Sequence, residues 1–343
     1  MYIPADTLDD LLRRIFEKLL RSRNKINPTR GAATELTGVL LKIAHPRARL
    51  SRTEKKGRLF SALGELLWYL AKTNDVRFVS YYVERYKKES DDGKTIWGGY
   101  GPRLFDMKRI GMKGIDQLAN IVQILKDSPD SRRAVVQLFD ASDIAKRHTD
   151  IPCTCTLQFM IRRQRLHMLT NMRSNDAFIG LPHDIFAFTM LQEIMARQLQ
   201  VEVGTYKQAV GSLHLYDHDR ESARQYLKEG WQETVLMPEM PVSEPWPSVK
   251  VLLKAESLIR RGKAIDIRQL KIHRYWKDLV RLLQIYWHFR KNDTKKIAQI
   301  KRGMSVRIYD PYIDQKKRIA NKRAAKAEPM QQVLLKLPSF SAK

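Results

Sequence analysis

Between residues 151 and 216 strand-like and helix-like periodicities follow one another with no space for long loops, so this stretch must fold as packed layers. Residues 151–161 and 166–173 read as two strands joined by the basic turn Arg162-Arg163-Gln164-Arg165. Pro182-His183-Asp184 then precede a strongly apolar helix over 185–199, and 201–215 read as one long or bent strand. Elsewhere helices and strands alternate irregularly. That pattern favours an α+β fold, a mixed sheet flanked by helices, over a repeating array of parallel strands and crossover helices.

Upstream, residues 7–21 place Leu8, Leu11, Leu12, Ile15, Leu19 and Leu20 at helical spacing, with Asp9 and Asp10 in the first turn, which predicts an amphipathic helix. Residues 24–34 have loop composition, 36–45 read as a strand, and 64–70 read as a buried helix within an apolar segment starting near Lys56. The spacing over 106–126 is helical, and 134–139 form a compact apolar strand directly after Arg132 and Arg133. Pro238, Pro241, Pro245 and Pro247 mark 238–248 as a connector between a domain over 1–237 and a basic helical extension over 249–343. Within the extension, 249–261 and 270–289 are helical by periodicity, and the second has a broad apolar face that must dock, in part on the preceding domain. Residues 316–326 are rich in Lys, Arg and Ala and predict an exposed or frayed helix.

With 343 residues and 43% hydrophobic content the chain can bury a sizeable core. Asp9, Asp10, Arg13, Arg14 and Glu17 interrupt the first apolar run, so neither a signal peptide nor a membrane span is expected. The two cysteines, Cys153 and Cys155, are too close in sequence to be good disulfide partners, which points to a reducing, cytoplasmic setting. The net charge of +26 is uneven: residues 251–343 hold 24 Lys and Arg against 7 Asp and Glu. Such a basic region either attracts polyanions such as nucleic acid or is a solvated surface with sparse aromatics.

A strand puts Cys153 and Cys155 on one face, so either could be a nucleophile by geometry, and a nearby arginine would favour its thiolate. Cysteines in strands are more often packing than chemistry. Two cysteines two residues apart lack the second ligand pair of a zinc site, so no metal is expected. Glu65, beside Leu66-Leu67-Trp68, lies either on a solvated helix edge or inside a site, because burying an unpaired charge is costly.

The order Pro152-Cys153, Gln158-Phe159, Arg173-Ser174-Asn175-Asp176, Gly180-Leu181-Pro182 and His214-Leu215-Tyr216 resembles the thymidylate synthase superfamily. Upstream the resemblance extends, with more divergence, to Pro28-Thr29-Arg30-Gly31, Gly64-Glu65-Leu66-Leu67-Trp68, Tyr100-Gly101 and Asp130-Ser131-Arg132-Arg133. It implies that Cys153 is the catalytic thiol, adding to C6 of a pyrimidine nucleoside monophosphate so that C5 attacks the methylene of 5,10-methylenetetrahydrofolate. It implies that Arg30, Arg173 and Ser174 bind the 5′-phosphate, with Arg132 and Arg133 reaching in from the second subunit of a homodimer. By the same resemblance His214 and Tyr216 bind the sugar, Asp176 and Gly180 meet the folate, and Glu65 and Tyr100 belong to the proton-moving water network.

Three departures from that pattern bear on the product. Asp184 stands where thymidylate synthases carry asparagine, and a carboxyl group that shares a proton with N3 and accepts from N4 suits cytosine better than uracil. This aspartate is the pattern of the cytidylate hydroxymethylase branch. Placed directly before a helix starting at Ile185, Asp184 also qualifies as an N-cap, where Asp and Asn serve about equally. Thr154 replaces a usual histidine, and Pro338-Ser339-Phe340-Ser341-Ala342-Lys343 replaces the short apolar tail that closes the site. The leading expectation is a CMP or dCMP 5-hydroxymethylase; the alternatives are a thymidylate synthase that methylates dUMP with release of dihydrofolate, and a nucleic-acid-binding or scaffold protein on the same fold.

Overall fold

The computed structural model describes residues 1–53, 58–109 and 112–319. Strand β1 (Tyr2–Ala5) leads into α1 (Leu8–Arg21), where the Thr7 hydroxyl accepts from the Asp10 amide at 3.1 Å and closes the first turn. Leu11, Leu12, Ile15, Phe16 and Leu19 are fully buried beneath it. Strands β2 (Lys25–Ile26) and β3 (Ala33–Ile43) follow, then α2 (Leu59–Leu70), α3 (Val76–Tyr82) and α4 (Tyr100–Phe105). Lys56, from which the apolar segment was expected to begin, lies outside the described residues.

The helical spacing over 106–126 resolves differently. Met107–Arg109 (β4) and Met112–Ile115 (β5) pair as an antiparallel hairpin, residues 110–111 lie outside the described residues, and only Gln117–Asp127 (α5) is helical. A Cβ at Gly114 would overlap the Asp106 carboxylate, and Asp116 caps α5 by accepting from Ala119 N at 3.0 Å. Local glycine and capping chemistry thus override periodicity.

Strands β6 (Val135–Gln137), β7 (Thr154–Arg162), β8 (Arg165–Asp176) and, after α6 (Gly180–Gln198), β9 (Glu202–Tyr216) complete a mixed sheet. Its order is β1-β3-β9-β8-β7-β6 with β2 on β3; β1 and β3 run parallel, as do β8 and β9. Arg163 and Gln164, both at positive φ, turn β7 into β8, the geometry of a two-residue hairpin. One face of the sheet carries α1 and α6. On the other, Leu40, Met160, Leu169 and Ala209 stay outside the main core, beside Lys42, Arg162, Arg165 and Lys207.

Helix α6 starts five residues earlier than expected. Asp176 Oδ1 accepts from Phe178 N at 2.8 Å and Ile179 N at 3.1 Å, turning the end of β8 into the helix. Pro182 sits in the first turn, where its missing N–H has no helical partner to lose. Asp184 is therefore inside the helix, and the N-cap reading of it is overturned.

After α7 (Arg220–Lys228) the proline-rich segment is stitched to α6 instead of hanging free. Met240 N donates to Glu193 at 2.9 Å, Arg197 donates to Met240 O at 3.0 Å, and Glu193 pairs with fully buried Arg49 at 2.5 Å. Helix α8 (Trp246–Arg260) leads to α9 (Arg274–Arg290) and α10 (Thr294–Arg302); residues 310–319 are helical. The apolar face of α9 does find a partner: Tyr286 stacks on Phe60 of α2 at 5.7 Å and on Tyr82 of α3 at 5.2 Å. Residues 320–326 of the basic stretch, and the tail from Pro338, lie outside the described residues. Among the described residues no helix is long and apolar enough to cross a membrane.

Candidate active site

Parallel pairing of β8 and β9 sets Ser174 opposite Ser212 and Asp176 opposite His214, so the ends of both strands deliver their side chains to one place. The turn before β7 meets them there, because Arg173 N donates to Cys153 O at 2.9 Å. The result is a cavity of ≈ 970 Å³, floored by strand ends and walled by α2, α4, the first turn of α6 and the 3-10 turn Glu84–Lys88. This is at the upper end of the roughly 300–1,000 Å³ usual for small-molecule sites.

Cys153 lines the cavity and Cys155 does not. The Arg173 guanidinium lies 3.8 Å from the Cys153 sulfur and is itself held by Pro152 O at 2.9 Å and Ile151 O at 3.2 Å. Proximity to arginine does not by itself produce a thiolate here. Burial pushes the Cys153 thiol up to about 11, against the opposing pull of Arg173, with Asp184 and Asp150 pushing the same way as burial.

Glu65 is inside the site and not on a solvated edge. Its Oε1 accepts from Tyr69 OH at 3.1 Å and from Tyr86 OH at 2.5 Å. Tyr100 OH donates to Thr154 Oγ1 at 2.9 Å and accepts from Thr154 N at 3.1 Å, so the threonine that follows the thiol anchors the tyrosine beside it. Asp184, half-buried and opening onto the cavity, accepts on Oδ2 from Asn175 Nδ2 at 2.7 Å. Loss of hydration and the neighbouring Glu65 push its carboxyl up to about 8, so it is mostly protonated at neutral pH.

Arg30 reaches the cavity from the loop before β3, paired with Glu89 at 2.5 Å and with Asp150 at 4.0 Å. Burial, then the charge of Glu89, pushes the Asp150 carboxyl up to about 6. His214 and Tyr216 meet edge to face at 4.9 Å on the same wall, and burial holds the imidazole below its ordinary value, hence neutral at pH 7. Asp176 and Gly180 line the rim with Ile179 and Trp68.

Of the residues singled out from sequence, Cys153, Glu65, Tyr100, Arg30, Arg173, Ser174, Asp176, Gly180, Asp184, His214 and Tyr216 share this one cavity. Arg132 and Arg133 do not: they are exposed just before β6, at the edge of the sheet. Tyr69, Tyr86, Arg85, Asp150 and Glu89 were not foreseen. They lie on α2, on or directly after the 3-10 turn and in the loop before Cys153, where the sequence offers no motif beyond a tyrosine one helical turn from Glu65.

A thiol, a protonated carboxyl and several arginines gathered at the ends of sheet strands make a cavity whose chemistry suits a small anionic molecule. The chain belongs to the thymidylate synthase family, whose sequence profile matches residues 7–254. It is similar to a deoxyuridylate hydroxymethyltransferase of Pseudomonas phage M6, 36% identical over 171 residues that make up 48% of this chain and 46% of that protein. It is also similar to a thymidylate synthase of Buchnera aphidicola subsp. Baizongia pistaciae, 28% identical over 193 residues, or 56% of this chain and 71% of that one. The chain thus spans less than half the length of the phage relative.

Proposed function

We propose that this protein transfers a one-carbon unit to C5 of a pyrimidine nucleoside monophosphate, with a cytidylate as substrate and a 5-hydroxymethyl nucleotide as product. The observation that carries the choice of base is Asp184, a carboxyl kept largely neutral and held by Asn175 inside the cavity. A neutral carboxyl can donate to cytosine N3 and accept from the N4 amino group.

In this reading Arg30, Arg173 and Ser174 hold the 5′-phosphate, and His214 and Tyr216 hold the sugar. Cys153 sulfur then lies against the base and adds to C6, which makes C5 nucleophilic. Nucleotide phosphate beside Arg173 leaves the thiol protonated at rest, so its proton passes to the water held near Glu65 and Tyr100 as the carbon–sulfur bond forms. Glu65, fixed by Tyr69 and Tyr86, and Tyr100, fixed by Thr154, retain the water through which protons reach and leave the base.

The rim suits 5,10-methylenetetrahydrofolate, which would supply the one-carbon unit. Asp176 spends Oδ1 on two backbone amides and keeps Oδ2 for a ring N–H, and Trp68 and Ile179 offer apolar walls. At Gly180 a Cβ would come no nearer than 3.7 Å to any neighbour, so its value there is open surface and not conformational freedom. Arg132 and Arg133, exposed outside their own cavity, would in this reading serve a second copy packed on the open sheet face.

The phage relative's name supports a hydroxymethyl product, but on a uracil nucleotide; the Buchnera relative's name supports methylation of dUMP. One assay separates the three. Offered CMP, dCMP and dUMP with methylenetetrahydrofolate, the protein is expected to give a hydroxymethylcytosine nucleotide by mass and no dihydrofolate absorbance. A hydroxymethyluracil nucleotide, or a methylated uracil nucleotide accompanied by dihydrofolate, would overturn the reading.

A further inference from the structure

A neutral carboxyl is by itself a poor judge of pyrimidines. Its O–H and C=O can face cytosine as donor to N3 and acceptor from N4, or exchange roles and face uracil as acceptor from N3–H and donor to O4. Whatever makes the group selective must decide which oxygen carries the proton.

Asn175, the unassigned residue of the Arg-Ser-x-Asp run, touches that choice directly. It is 3% exposed, and its Nδ2 lies 2.7 Å from Asp184 Oδ2 and 2.9 Å from Met172 sulfur. An amide N–H donating to Oδ2 makes that oxygen the acceptor and leaves the proton to Oδ1. The order of donor and acceptor along the carboxyl edge is then fixed, and one base matches it in a given pose while the other meets donor against donor.

We infer that Asn175 is the positioning residue that sets base specificity, by pinning the proton of Asp184 to Oδ1. This rests on the proposed reading that Asp184 faces the base. Glu65 and Tyr69 of α2, Arg85, Tyr100 of α4, Cys153, Asp176 of β8 and Tyr206 of β9 also act electrically on or with Asp184, but among the described residues the hydrogen bond to its carboxyl comes from Asn175.

The test compares the parent with Asn175→Ala and with the near-isosteric Asn175→Leu, neither of which can donate. For each, kcat/KM is measured on dCMP, CMP and dUMP across pH, and equilibrium binding of dCMP and dUMP is measured without turnover. The ratio of preferred to rejected base is expected to shrink by about 10–100-fold in both variants. The alkaline limb of the pH profile is expected to move upward, because the Asn175 hydrogen bond holds the Asp184 carboxyl down. An equal loss on both bases with an unmoved limb, or an unchanged ratio in kinetics and binding, overturns the inference. A parent that prefers dUMP instead sinks the cytidylate reading, while collapse of that preference in the variants would still support the pinning role.

Discussion

At the level of single residues the site is a set of groups held away from their ordinary charge states. Cys153, raised to about 11 by burial, should be alkylated by iodoacetamide at pH 7.5 about 100-fold more slowly than a free thiol, with the rate rising steadily to beyond pH 10. A plateau near pH 8 would show that Arg173 outweighs burial. Asp184, raised like the thiol, makes stability depend on pH in a lower range. Its carboxyl titrates at about 8 in the folded chain and at about 4 when unfolded, so the fold binds a proton that the unfolded chain releases between those values. Stability is therefore lost as pH rises from about 4 to about 8. Asp184→Asn should be the more stable protein, by an amount that grows from pH 5 to pH 8 to roughly 2–3 kcal/mol and then levels, as followed by urea unfolding. A difference that stays constant with pH would show that Asp184 is ionised in the fold. The family resemblance carried by sequence order gathered Cys153, Arg173, Ser174, Asp176, Asp184, His214 and Tyr216, and the strand ends that bear these short motifs do adjoin in space. It could not reveal Tyr86 or Asp150, whose approach depends on how irregular turns close.

Helices position these groups through their backs. Tyr286 of α9 donates to Tyr81 O at 3.0 Å, Tyr82 OH donates to Glu256 of α8 at 2.9 Å, and Tyr86, just beyond α3, holds Glu65. Helices α2 and α3 meet tightly at Gly64, where a Cβ would stand 2.1 Å from Tyr82 Cγ. Gly64→Ala should therefore cost about 1–3 kcal/mol by overpacking and should also lower kcat, since it parts the helix of Glu65 from the turn of Tyr86. Loss of stability with full kcat would show that the two are uncoupled. Trp276→Ala, emptying a site that is 2% exposed on α9, is expected to cost about 3–5 kcal/mol in urea unfolding. Periodicity found α1 and α9 because each buries an apolar face, and α6 because its long apolar run is buried on all sides. It missed the β4–β5 hairpin and the true start of α6, where glycine, aspartate capping and a first-turn proline decide the outcome at single positions.

Across the whole molecule, one sheet face is covered by helices, and the other leaves Leu40, Met160, Leu169 and Ala209 outside the core. If that face pairs two copies and Arg132 and Arg133 serve the opposite site, then Cys153→Ala mixed in equal amount with an Arg132→Ala, Arg133→Ala chain should regain about a quarter of the parent activity. Mixing that restores nothing, with dimers present by sedimentation, would assign both arginines to other work. The basic extension shows that composition located charge without showing its seat: α9 buries its apolar face on α2 and α3, Arg274 and Arg290 at its ends stay exposed, and Arg281 pairs with buried Asp278 at 2.7 Å. Arg30 has a further consequence. In the resting chain it is tethered to Glu89 and Asp150, two tenants that can never diffuse away. A lone phosphate ion must evict them from bulk solution, whereas a nucleotide anchored by sugar and base presents its phosphate at a high effective concentration. On the proposed reading, in which Arg30 takes the nucleotide phosphate, the pairing would filter ligands by how many handles they carry, so inorganic phosphate should inhibit the parent weakly and the Asp150→Asn variant more strongly.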